Sequence, residues 1–302
     1  MDKNPSVKMR VPATTANLGP GFDCLGLALD LWNDVEISFT GSALQIEIEG
    51  EGQEVLPRNQ QNLIFRSIKL LTEKYSREIP NGILIRCVNR NPVASGMGSS
   101  SSAVIAGLMA ANKLLELRMS QNEILKAGLE LEGHVDNIAA CLLGGLVIVG
   151  LTLDSLVTRR MSIQQLKTTI ALPDISLSTY QARNALPRNF KIHDIVFNIS
   201  RTAMLIDSFS RGDFQFLKTA MEDRIHQPYR LELIPGAEEA MQAAIGAGAD
   251  GVAISGAGPS IIAFHKDANN SIGRAMLRAF ESQKTPARLF RLSTINTGAY
   301  FV

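Results

Sequence analysis

The sequence predicts an α+β protein organised as two domains, and three observations carry that expectation. The chain has 302 residues, more than one hydrophobic core comfortably organises. Apolar patterns of period 2 and period 3.6 interleave along its length, so strands and helices are mixed throughout. Apolar residues make up 45% and charged residues 20% without long bias, enough for a sizeable core.

The elements follow in order. Val7 to Pro12 has strand character, and Ala13 to Gly21, rich in Thr, Asn, Gly and Pro, reads as a loop. Leu27 to Thr40 and Leu44 to Glu49 read as strands, the second alternating as a half-buried antiparallel strand does. Asn62 to Lys74 has helical spacing, and Gly82 to Asn89 is another alternating strand. From Ser99, Val104, Leu108, Ala111 and Leu115 form a buried helical stripe opened by a serine run. A helix over Gln121 to Gly133 and an apolar helix after Asp136 lead through Gly144-Gly145 into a strand from Leu146 to Leu153. The domain boundary is expected there, giving domains 1–153 and 154–302. The second half alternates again: strand Thr168 to Leu172, helices Ile192 to Ser210 and Gly236 to Gly246, strand Gly251 to Ser255, helix Asn270 to Gln283 and strand Ala287 to Asn296.

A net charge of +1 provides no global field for nucleic acid or an anionic membrane, so any anion site is local. Cys24, Cys87 and Cys141 are too few and too widely spaced for a disulfide framework or a CxxC metal site, and read as buried thiols. The first residues lack the apolar run of a secretory signal, and the run from Ile138 to Leu153 is too short and glycine-broken to span a bilayer. A cytoplasmic location is expected.

Three glycine-containing segments stand out. Pro92 to Ala103, PVASGMGSSSSA, sets Gly96 and Gly98 before a helix N-terminus, where free backbone N–H groups and the helix dipole favour phosphate. Ser99, Ser100 and Ser101 add hydroxyls that can donate or ligate Mg2+. Alone, this reads equally as an ordinary cap. Ser255 to Ser260, SGAGPS, fits a tight hairpin turn, and Val11 to Asp23, VPATTANLGPGFD, places Asn17 and Asp23 to face a polar ligand. No G-x-x-x-x-G-K-[ST] or G-x-S-x-G occurs, which excludes P-loop and serine-hydrolase readings at the residue level; the G-x-G-x-x-G from Gly246 to Gly251 stands between an expected helix and an expected strand, the reverse of the order a dinucleotide-binding loop requires.

In this order the three segments resemble the signature motifs of the galactokinase, homoserine kinase, mevalonate kinase and phosphomevalonate kinase (GHMP) superfamily. EGHVDNIAACLLGG from Glu132, STYQARNALP from Ser178 and HQPYR from His226 extend the resemblance to homoserine kinases over nearly the full chain. The resemblance implies a left-handed βαβ, ribosomal-protein-like N-terminal domain, a ferredoxin-like C-terminal domain and ATP near their junction. It implies phosphorylation of the L-homoserine side-chain hydroxyl in threonine biosynthesis, by a homodimer. Carried over by position, Pro92, Val93, Ala94, Ser95, Gly96, Met97, Gly98, Ser99, Ser100, Ser101 and Ser102 hold the phosphates, and Asn62 lies near the adenine. Glu132 and a loop serine, taken as Ser100, hold Mg2+, with Glu130 as the alternative carboxylate. Asn17, Asp23, His134, Asp136 and Asn137 surround the amino group and hydroxyl of the amino acid, while Arg183 and Arg230 take its carboxylate. Thr179 orients the hydroxyl. Asn137 stands where relatives carry an aspartate, and an amide is no base, so Thr179, Asn137, Asp23 and Arg183 act by positioning and charge. Val135, Ala140 and Met97 depart from the usual proline, proline and leucine. Another small-alcohol kinase of the superfamily and a non-catalytic ligand sensor are the alternatives.

Overall fold

Two sheets share the chain, as a computed structural model describing residues 5–40, 43–78, 82–152 and 155–302 shows. The first begins with β1 (Ser6–Asn17) and β2 (Gly21–Phe39), paired antiparallel along nearly all of β1. β3 (Gln45–Gly50), α1 (Leu63–Lys74) and β4 (Ile83–Asn89) form a βαβ unit whose strands run parallel. The alternation in β3 therefore marks a strand with one covered face, not the antiparallel pairing expected, because period-2 burial is blind to strand direction. β1 runs through to Asn17, taking in residues expected as loop. Register shifts at Pro12/Ala13 and Ala16/Asn17 bend it there without ending it.

Helices α2 (Ser99–Leu114), α3 (Gln121–Glu132) and α4 (Asp136–Leu143) follow, then β5 (Leu146–Leu151) and β6 (Leu156–Met161). β5 pairs with β2 and β6, so the first sheet extends past the expected boundary, whose residues 153 and 154 lie outside the described ones. The main core packs this sheet against α1 to α4 through Ile37, Ile68, Ile85, Leu108 and Ile138, all fully buried.

The second sheet starts with β7 (Lys167–Pro173). A long excursion follows through α5 (Thr179–Asn184), α6 (Ile192–Arg211), α7 (Leu217–Ala220), α8 (Gln227–Leu231) and α9 (Ala237–Gly246). β8 (Gly251–Ile254), β9 (Ile261–His265), α10 (Asn270–Ser282) and β10 (Ala287–Ser293) complete it. Its order β10-β7-β9-β8 with antiparallel pairing is the ferredoxin-like arrangement, with α5 to α9 expanding the first crossover. The chain then returns to the first sheet, where β11 (Tyr300–Phe301) pairs with β1. Leu18, Leu25, Leu27 and Met97 pack with Phe209, Phe214 and Phe264 in a core that joins the two halves. Cys87 and Cys141 are buried as expected; Cys24 is only partly so.

Gly26 on β2 fixes how closely α4 approaches the sheet. A Cβ there would meet the Asp136 carbonyl oxygen at 2.3 Å and Ala140 Cβ at 3.2 Å. Gly26→Ala is expected to cost about 1–3 kcal/mol, the usual scale of overpacking, measured as a lower urea midpoint. An unchanged midpoint would show that this contact does not set the spacing of strand and helix.

Candidate active site

The phosphate-loop segment is held from three sides before any ligand is considered. Thr14 N and Asn91 Nδ2 both donate to the Met97 carbonyl, at 3.0 and 2.8 Å, while the Met97 side chain is sunk in the joining core. Ser95 Oγ donates to the Pro92 carbonyl at 2.7 Å and accepts from Met97 N at 3.2 Å. From the far side, Ser255 Oγ reaches the Gly96 carbonyl at 2.8 Å and Thr15 Oγ1 at 2.9 Å, and Gly256 N donates to the Ala16 carbonyl. Gly98 is left-handed, with φ 71°, and a Cβ there would lie 1.9 Å from Thr14 Oγ1. No side chain caps α2, so the N–H groups of Ser99, Ser100 and Ser101 start the helix without intrahelical partners, at the positive end of its dipole.

A carboxylate faces that end. Glu132 closes α3, left-handed Gly133 turns the chain toward α4, and Glu132 Oε2 accepts from Ser101 Oγ at 2.7 Å. Ser100, the serine expected beside Glu132, lines the adjacent cavity. Glu130 pairs instead with Lys74 on α1. At the start of α4, Asp136 Oδ1 accepts from Asn137 N at 2.7 Å and lies 3.4 Å from His134 Nδ1. That carboxylate raises the His134 pKa against the opposing effect of burial. Val135 between them has φ −130°, outside the range a proline ring permits. Thr14 Oγ1 donates to Asn137 Oδ1 at 2.8 Å and Asn137 Nδ2 donates to Asp136 Oδ1 at 3.5 Å, which leaves the second N–H of that amide for a ligand.

Two arginines occupy the opposite wall. Arg183, four residues after Thr179 on α5, forks onto Asp23 with bonds of 2.9 and 2.7 Å, which raises its pKa. Asp23 N donates to Asn17 Oδ1, and Asn17 Nδ2 to the Gly256 carbonyl. Arg230 on α8 is 1% exposed and has no carboxylate within ion-pair distance among the described residues. Burial and then the like charge of Arg183 pull its pKa down to about 10. Its Nε donates to the Ala182 carbonyl, and one terminal nitrogen to the Gly256 carbonyl and His226 Nδ1.

One cavity of about 440 Å³ is lined by Val93 to Gly96, Gly98 to Ser102, Asn17, Asp23, Asn62, His134, Asp136, Asn137, Thr179, Arg183 and Arg230. Of the expected site residues, Pro92, Met97 and Glu132 stand outside this lining; Glu132 reaches it through Ser101. Asn62 caps α1 with Oδ1 and ties the Pro57 carbonyl with Nδ2, so its side chain already has partners. Part of the cavity is an apolar slot that includes Val35, Ile48, Leu56, Leu63, Cys87 and Val93. Apart from Val93 in the phosphate loop, sequence reasoning missed this slot, because its residues come from β2, β3, α1, β4 and the loop before α1 and carry no motif. It also missed Thr14 and Ser255, although both lie inside the segments it singled out.

A model of the GHMP kinases N terminal domain matches residues 62–145, and one of GHMP kinases C terminal matches residues 205–282. The homoserine kinase of Moorella thermoacetica is 39% identical over 97% of this chain and 99% of that protein. The chain belongs to the GHMP kinase family. The homoserine kinase of Carboxydothermus hydrogenoformans is 38% identical over 89% of this GHMP kinase and 88% of its own length. The crystal structure of homoserine kinase from Cytophaga hutchinsonii superposes with a TM-score of 0.88 at 30% identity, covering 100% and 99% of the two chains. No helix among the described residues is long and apolar enough to cross a membrane.

Buried His226 and half-buried His134 give this GHMP kinase a two-sided pH response. Burial holds His226 neutral, with its pKa lowered to about 4. Between pH 6.5 and 4 the unfolded chain therefore binds more protons at this site, and its contribution to stability falls as pH falls. His134 acts in the other window: its folded pKa is raised, so its contribution is complete below pH 6.5 and is lost as pH rises through that raised value. His226→Gln is expected to remove a slope of at most about 1.4 kcal/mol per pH unit on the acid side. Urea unfolding of both proteins at pH 5.5 and 6.5 measures it, and equal slopes would refute the assignment.

Proposed function

We propose that this GHMP kinase transfers the γ-phosphoryl group of ATP to the side-chain hydroxyl of L-homoserine. The observation that carries the reading is Arg230, a buried cation without a carboxylate partner, facing the same cavity as the uncapped start of α2. A buried charge is costly unless it is compensated, and an acceptor's α-carboxylate is the compensation that fits. Arg183 shares that carboxylate. Asp23, already paired with Arg183, takes the ammonium, so the polar cluster matches a zwitterion. A mevalonate-type acceptor has no ammonium to satisfy Asp23.

The apolar slot takes the nucleobase, and the loop from Pro92 to Ser102 takes the phosphates on its N–H groups. The hydroxyl oxygen, oriented by Thr179 at the N-terminus of α5, forms the new bond to the γ-phosphorus as the bond to the β-phosphate bridging oxygen breaks and ADP leaves, and the hydroxyl proton passes through a transferred phosphoryl oxygen to solvent. Asn137 donates to the transferring oxygens, since its own oxygen is taken by Thr14. We assign no side chain as general base.

The oxygen donors Glu132 and the serines of α2's first turn suit Mg2+, which takes few protein ligands and completes its shell from phosphate and water. When bound, the ion supplies positive charge where phosphoryl negative charge accumulates.

Purified protein with Mg-ATP is expected to release ADP with L-homoserine and not with L-threonine, L-serine, mevalonate or no acceptor. The phosphorylated product is identified by mass. Preference for another acceptor would overturn the pocket assignment, and ligand binding without turnover would favour a sensor. Glu132→Gln is expected to lower kcat by at least about a hundredfold, on the scale of losing a charge-stabilising group, with thermal unfolding little changed. Undiminished turnover would remove Glu132 from the site.

A further inference from the structure

His226 is fully buried behind the substrate wall and the reaction described above does not use it. It stands at the N-cap position of α8, yet its side chain makes no capping bond. Asp223 Oδ2 instead accepts from the backbone N–H groups of His226 and Gln227, at 2.9 and 2.6 Å. The imidazole is therefore free for another task, and its two nitrogens are both engaged. Nε2 lies 2.7 Å from the Gly19 carbonyl, which can only accept, so Nε2 carries the proton. Nδ1 then presents a lone pair, and Arg230 NH1 sits on it at 3.2 Å. The helix supplies this spacing, because residues four apart share a face.

Phe22 completes the clamp. Its ring stacks on His226, with centroids 5.3 Å apart, and the guanidinium carbons of Arg230 and Arg183 lie 5.1 and 5.6 Å from its centroid. His226, the Gly256 carbonyl and the Ala182 carbonyl engage Nε and NH1 of Arg230. NH2 is left without a protein partner among the described residues.

We propose that His226 is a positioning residue that, as a neutral acceptor, aims the free edge of Arg230 at the carboxylate of the phosphoryl acceptor. The inference rests on the homoserine reading above and assigns a role that the carboxylate contact alone does not. Without the Nδ1 lone pair, Arg230 NH1 loses one of its two partners and the guanidinium is aimed only by the Gly256 and Ala182 carbonyls, at 3.1 and 3.3 Å. The penalty falls on carboxylate recognition and not on ATP or on transfer itself.

Asparagine places its Oδ1 close to where Nδ1 stands, whereas glutamine reaches only the Nε2 position. His226→Asn and His226→Gln therefore separate the acceptor role from simple space filling. The assay measures KM for L-homoserine and ATP, and kcat/KM for 3-aminopropan-1-ol, which is homoserine without its carboxylate. His226→Gln is expected to raise the homoserine KM at least about tenfold, the scale of one hydrogen bond to a charged group. Its KM for ATP and its kcat/KM for the amino alcohol should stay at wild-type values, and His226→Asn should restore most of the homoserine KM. Equal impairment of the Asn and Gln variants would overturn the proposal, as would equal loss with the amino alcohol. Failure of the wild-type protein itself with homoserine would remove the functional reading and this inference together; success there with no split among the variants would remove only the inference.

Discussion

The geometry of the site depends on the mutual bonding of three glycine-containing segments that lie far apart in the chain. The Met97 carbonyl is shared by Thr14 N and Asn91 Nδ2, and Ser255 Oγ joins the Gly96 carbonyl to Thr15 Oγ1. Each segment uses polar atoms that would otherwise be buried without partners, so none adopts its shape independently of the other two. The phosphate loop is in this sense a product of the interface between the two sheets. Left-handed Gly98 against Thr14 and left-handed Gly96 against the Ser255 carbonyl show where this closeness excludes any side chain. Met97, anchored in the joining core, ties the loop to the packing of both halves.

Much of this was legible in the sequence, for physical reasons that differ from place to place. The helix over Ser99–Leu114 announced itself through a buried stripe behind a serine run, and the hairpin at SGAGPS through turn residues between apolar strands. The parallel pairing of β3 with β4 was not legible, because alternation reports which face is covered and not which way the neighbour runs. Nor was the extension of β1 to Asn17. Thr, Asn and Gly suit a loop, but two bulges let the same residues stay hydrogen-bonded to β2 while left-handed Asn17 turns its side chain toward the site. β11 returns to the first sheet from some 290 residues beyond its partner β1, a long-range pairing that local patterns do not encode.

The site divides similarly. Polar residues inside the motifs could be placed by resemblance, and the cavity gathers most of them. The apolar slot could not be read, since Val35, Ile48, Leu63 and Cys87 look like any core residues until the fold leaves their faces uncovered. Asn198 is structural: it is buried, and its amide holds Asp223 and Arg224 N beneath the arginine wall.

The two anion-binding ends of the cavity are built on different physics, and the difference suits the reaction. From Pro92 to Ser102 the phosphate loop contains no charged side chain, and it offers backbone N–H groups and hydroxyls at a helix terminus. Such a site favours an anion without fixing it by full charge, which lets product leave as readily as substrate enters. The other end holds Arg183 and Arg230, one screened by Asp23 and the other buried without an anion. Full charges in a low-dielectric wall discriminate strongly, because a ligand lacking the complementary group leaves them uncompensated. Selectivity among acceptors thus arises at the arginine wall, while the loop handles a polyphosphate whose identity is set mainly by the apolar slot beside it.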